Sequence, residues 1–127
     1  MCSCCGGKKT ILIIDDDPDS RSVVRIILED EGYSIGEASS GEEGLKVAAN
    51  IKPDAIIVDL MMEAVDTGIQ VARKLKEDEF EGPVWMLSAA GDTVQYNVDQ
   101  RELGLAGIFQ KPLDPTTLIK TIHSRIG

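Results

Sequence analysis

Three short apolar runs mark this chain, and each stops on a residue that can do chemistry. Ile11-Leu12-Ile13-Ile14 runs into Asp15 and Asp16, Ala55-Ile56-Ile57-Val58 into Asp59, and Val84-Trp85-Met86-Leu87 into Ser88. Continuous β-branched and aliphatic runs of this length read as strands buried on both faces, as in a parallel sheet. A shorter run, Gly107-Ile108-Phe109-Gln110, ends on Lys111, and Tyr33 to Ala38 reads as a short strand of small residues.

Between the strands the period changes to that of helices. Asp17-Pro18 has the form of an N-cap followed by proline at the first helical position. The helix it opens carries Val23, Val24, Ile27 and Leu28 on one face, holds Arg21, Arg25 and Glu29 outside, and stops at Gly32. Ser40 with Glu43 forms a capping box for a helix through Leu45, Val47 and Ala48 that ends before Lys52-Pro53. Gly68 opens the next, with Ile69, Ala72 and Leu75 inward, and Gly82-Pro83 closes it. The segment from Asp92 to Leu103 reads as a helix with a thin apolar stripe, Val94 and Val98. Asp114-Pro115 repeats the cap-plus-proline start for a last helix facing inward with Leu118, Ile119, Ile122 and Ile126.

Five strands alternating with five helices over short connections predict an α/β fold, a doubly wound parallel sheet. In such a sheet ligands bind at the carboxyl ends of the strands. Asp15, Asp16, Asp59, Ser88 and Lys111 all fall at those ends. In the common strand order 2-1-3-4-5 the first and third strands are neighbours, so three carboxylates share one crevice. Two like charges ~4 Å apart repel by about 4 kcal/mol at an effective dielectric near 20, so the crevice calls for a cation or for protonation. An all-oxygen site with open water positions suits Mg2+. A carboxylate beside such a cation, a lysine and a hydroxyl makes a phosphoryl-transfer site. Asp59 is the expected nucleophile, with Lys111 and Ser88 on the phosphoryl oxygens. Taken singly, each residue has a plainer reading: a turn aspartate, a helix cap, a strand-end hydroxyl, a surface lysine. Their convergence on one sheet edge favours the chemical reading.

Composition narrows the field further. The 127 residues suit one domain, and the net charge of −9 argues against sequence-independent nucleic-acid binding. No apolar run reaches membrane-spanning length and no signal peptide opens the chain, so a cytoplasmic protein is expected. Cys2, Cys4 and Cys5 precede Gly6-Gly7. The only histidine, His123, is remote from them and reads as a surface residue, so a zinc set is incomplete and residues 1–7 read as a flexible tail.

The segments "ILIIDDDPDS", "AIIVDLMM", "WMLSAA" and "FQKPL" resemble the acid-pair, phosphoacceptor, hydroxyl and lysine-proline motifs of the two-component response-regulator receiver domain, over about Lys8 to Gly127. The resemblance implies a flavodoxin-like fold of order 2-1-3-4-5 and a receiver domain over residues 8–127. It implies that Asp59 is phosphorylated by a histidine kinase or phosphotransfer protein with Mg2+ bound directly by Asp16, through water by Asp15, and by Asp59 and the Met61 carbonyl. A cis Lys111-Pro112 peptide is implied as well. A receiver signals to a downstream protein target or output domain, standing alone or within a longer regulator or hybrid kinase, and is not an enzyme in its own right. Two other readings stay open: a degenerate receiver serving only as a protein-binding module, and a small Mg2+-dependent phosphatase. This chain departs from the family pattern in three places. Glu63-Ala64 stands where Pro-Gly is common, Thr67 is an added residue before Gly68, and Ile108 occupies a position that is usually aromatic.

Overall fold

The computed structural model describes residues 9–59, 67–78, 80, 82–88, 105–110 and 114–126. In chain order these form β1 (Thr10–Ile14), α1 (Pro18–Asp30), β2 (Ser34–Ala38), α2 (Gly41–Ile51), β3 (Ala55–Asp59), α3 (Thr67–Glu77), β4 (Val84–Ser88), β5 (Gly107–Gln110) and α4 (Pro115–Ile126). The strands make one parallel sheet in the order β2-β1-β3-β4-β5, as expected. The helix read over Asp92–Leu103 lies outside the described residues.

Alternation along the strands divides the core in two. Ile11, Ile13, Ala55, Ile57, Trp85, Leu87 and Phe109 face α1 and α4, where Val24, Leu28, Leu118 and Ile122 meet them. Leu12, Ile14, Ile56 and Val58 face α2 and α3, against Val71 and Leu75. Every residue of β3 and β4 is buried, which is why those stretches read as unbroken apolar runs rather than alternating ones.

The helix ends obey the chemistry of their caps. Asp17 accepts the Asp19 N–H at 3.0 Å to open α1, and Gly32, at φ 97°, follows its last turn. Ser40 accepts the Glu43 N–H at 3.1 Å, while Glu43 reaches back to the Ser39 N–H at 2.7 Å. That return bond falls one residue before the cap itself, a shifted form of the box. At the edge where the strands begin, Asp54 is clamped to Thr10 through its side chain (2.8 Å) and its N–H (2.7 Å).

Two helix faces differ from the pattern reading. On α1, Val24 and Leu28 are fully buried and Ile27 is half-buried, but Val23, expected inward with them, is 53% exposed. Successive helical residues are about 100° apart, so the face centred on Val24 and Leu28 turns Val23 toward solvent. On α3, Val71 is buried together with Ala72 and Leu75, completing the i, i+4 pair that the pattern reading missed.

Candidate functional site

The register of β1 against β3 pairs Ile14 with Val58, so Asp15 and Asp59 stand level at the carboxyl edge of neighbouring strands, which run about 4.8 Å apart. Both continue the alternation that faces α1 and α4. Asp15 is 0% exposed and Asp59 3%. On the other side of β3, Asp59 pairs with Leu87, which puts the fully buried Ser88 one residue further along. Ser88 in turn pairs with Gln110. Asp16, next in the chain after Asp15, is exposed.

Three of the four polar groups of Asp15 are fixed. Its N–H donates to the Ala38 carbonyl at 3.1 Å, its carbonyl accepts from Arg21 Nη1 at 2.7 Å, and its Oδ1 accepts the Asp17 N–H at 2.9 Å. The fourth, Oδ2, is buried and has no partner in hydrogen-bonding geometry, and the Ser88 hydroxyl is in the same condition. Burial pushes the Asp15 carboxyl above its ordinary 3.8, the Asp17 N–H draws it part of the way back, and the charge of Asp59 adds to the rise. The charge of Asp59 thus reaches Asp15 across the β1–β3 seam.

Among the described residues no three His, Cys, Asp or Glu side chains are gathered as a ready-made metal cage; Asp15 and Asp59 are buried while Asp16 is exposed. The donor set nevertheless fits a hard divalent cation. A buried carboxylate oxygen with no partner, beside a second buried carboxylate, is what an oxygen-coordinated ion satisfies, and Mg2+ characteristically keeps several waters as well. Lys111, Met61, Pro112, Glu63 and the three N-terminal cysteines lie outside the described residues. Ile108 is half-buried. Phe109 is buried against Trp85, with ring centroids 6.0 Å apart and planes at 37°. Phe109 is therefore committed to the core and does not replace an aromatic at position 108.

Arg21 is the residue that pattern reading passed over, as an outer position of α1. It ties the Asp15 carbonyl to Glu37 of β2, its Nε lying 3.0 Å from Glu37 Oε1. One signal for it was present. A cation in the first turn of a helix opposes the helix dipole, so an arginine there asks for an anionic partner.

The model of the response regulator receiver domain family matches residues 11–123. The phosphate regulon transcriptional regulatory protein PhoB of Pseudomonas aeruginosa is 35% identical over 94% of this chain and 53% of its own length. The DNA-binding dual master transcriptional regulator RpaA of Synechocystis is 36% identical over 90% of this chain and 47% of its own. This chain thus spans about half the length of these curated relatives. Among solved structures, the chemotaxis protein CheY4 of Vibrio cholerae superposes with a TM-score of 0.82 at 28% identity, covering 94% of this chain and 99% of that one. A response regulator receiver domain protein from Clostridium thermocellum gives 0.83 at 27%, covering 93% and 94%. With the sheet order, the paired buried aspartates and these relatives in agreement, the chain belongs to the response regulator receiver domain family.

Proposed function

We propose that Asp59 is the phosphoacceptor of this receiver domain. Asp15, Asp16, Asp59 and the Met61 carbonyl are the proposed holders of Mg2+, and Ser88 and Lys111 the proposed contacts of the phosphoryl oxygens. The observation that carries this reading is the buried pair at the β1–β3 edge: Asp59 3% exposed, level with an Asp15 oxygen that has no partner. An oxygen of the Asp59 carboxylate attacks phosphorus, forming an O–P bond as the N–P bond of a phosphohistidine breaks. The electron pair leaves on the imidazole nitrogen. Bound Mg2+ supplies neutralisation of charge on the transferring oxygens. The Lys111 ammonium pairs with one of those oxygens and the Ser88 hydroxyl donates to another. Attack of water on the same phosphorus returns the carboxylate, so the domain takes part in its own dephosphorylation.

The phosphoryl donor is a histidine kinase or phosphotransfer protein, and the receiver of the signal is a protein target or an output domain. The domain itself does not bind nucleic acid directly, in keeping with its charge of −9. Its site of action is the cytoplasm. Among the described residues no helix is long and apolar enough to cross a membrane.

Intact mass after incubation with acetyl phosphate tests the reading. One phosphate should add in the presence of Mg2+, none with EDTA, and none to Asp59→Asn. A pure binding module adds no mass under any condition, whereas a phosphatase consumes many equivalents of donor without keeping one. Retention of the added phosphate by Asp59→Asn would sink the assignment.

A further inference from the structure

Arg21 is poorly placed by local rules and well held by distant ones. It lies in the first turn and a half of α1, where the helix dipole disfavours a cation. Yet its side chain is only 18% exposed and both of its donor edges are used. Nη1 donates to the Asp15 carbonyl at 2.7 Å, and Nε to Glu37 Oε1 at 3.0 Å. The other oxygen of Glu37 forms an ion pair with Arg25 Nε at 3.5 Å, outside hydrogen-bonding geometry, so the charge of the carboxylate that anchors Arg21 is also balanced from a second side. A planar guanidinium grips two acceptors in fixed directions as a flexible ammonium does not.

The carbonyl that Arg21 holds belongs to the peptide joining Asp15 to Asp16. With the Asp15 N–H already bound to Ala38 on β2, a bond to that carbonyl fixes the backbone rotation on both sides of Asp15. In that orientation Asp15 is buried and Asp16 exposed. We propose that Arg21, anchored by Glu37, is the positioning residue of the acid pair and makes the site selective for a small cation of strict geometry. The inference rests on the cation site proposed above. Its logic is that Mg2+ demands near-octahedral ligands at short distances, whereas Ca2+ accepts looser ones. Loss of positioning therefore costs Mg2+ more than Ca2+. Loss of a mere positive charge would do the opposite and tighten both.

Calorimetric titration of Mg2+ and of Ca2+ into the whole chain separates these cases. Arg21→Met should weaken Mg2+ binding about tenfold, or 1.4 kcal/mol, and Ca2+ binding by no more than about threefold. Arg21→Lys, which reaches one acceptor but not both, should fall between. Glu37→Gln keeps an acceptor for Nε but loses the charge, and should show the same selectivity change at about threefold for Mg2+. If Arg21→Met does not fold, Glu37→Gln decides. Equal weakening of both cations, tighter binding of both, or no change would each overturn the positioning role while leaving the cation site intact. A wild-type chain that binds neither cation would instead overturn the site itself, and this role with it.

Discussion

Asp15 keeps one carboxylate oxygen buried without a partner, beside a second buried carboxylate, and such a group costs stability in the cation-free protein. Its carboxyl is held above 3.8, chiefly by burial. Over the range from 3.8 up to the folded value, the native state therefore binds more protons than the unfolded chain. The contribution of this group is favourable in acid and is lost as pH rises through that range. In EDTA at pH 7, Asp15→Asn should therefore melt a few degrees higher than wild type, on the scale of about 1 kcal/mol for a domain of this size. At pH 3 the two should coincide, and saturating Mg2+ at pH 7 should favour wild type instead. Thermal melts under the three conditions check this; an asparagine variant less stable in EDTA at pH 7 would contradict it. Tyr33 offers a second residue-level test. Its hydroxyl is buried without a partner, and burial, then the charge of Glu31, raises its pKa above 10.0. Tyr33→Phe should lessen the loss of stability seen as pH climbs past 10, measured by urea melts at pH 8 and 11. The strand-end residues were legible in the sequence because an apolar run that stops on a carboxylate is a local signal. Arg21 was not, because its partner Glu37 lies 16 residues away on β2 and no local spacing encodes that meeting.

Helix faces show where periodicity succeeds and where it slips. Of the four α4 residues whose spacing faces them inward, Leu118 and Ile122 are buried, while Ile119 and Ile126 are half-buried. On α1 the apolar pairs Val23-Val24 and Ile26-Ile27, either side of Arg25, leave the direction of the face undetermined from sequence, and packing against the sheet selects Val24 and Leu28. Val24→Ala should cost roughly 1–3 kcal/mol through lost burial and a cavity. Val23→Ala should stay within about 0.5 kcal/mol. Urea denaturation of the pair checks the assignment, and equal losses would refute it. The approach of α2 to the sheet depends on Gly44, where an added Cβ would overlap the side chain of Ile14. Ile14 is fully buried and stiff at its first torsion, so it cannot easily yield. Gly44→Ala should therefore destabilise by about 1–2 kcal/mol, although alanine in an open helix would stabilise by about 1 kcal/mol.

At the scale of the whole molecule, a ligand that binds only the folded chain raises its stability by RT ln(1 + [L]/Kd), about 2.7 kcal/mol at one hundred times Kd. Mg2+ should raise the melting temperature and EDTA should remove the effect. Asp16→Ala should lose most of the gain; a full gain in that variant would take Asp16 out of the proposed cation site. The sheet order was legible only through the family resemblance, since apolar runs identify strands but not their neighbours. Every described helix follows a strand, starts at the edge where Asp15 and Asp59 lie, and runs back toward the edge where Asp54 clamps Thr10. The last of them, α4, covers 12 residues, or about 18 Å at 1.5 Å per residue. Ile126 therefore sits a domain's depth away from Asp59. A segment joined beyond Ile126 therefore starts from the rim opposite Asp59. A reporter fused at that end would sense the proposed phosphorylation of Asp59 across the length of α4 rather than at its own attachment point.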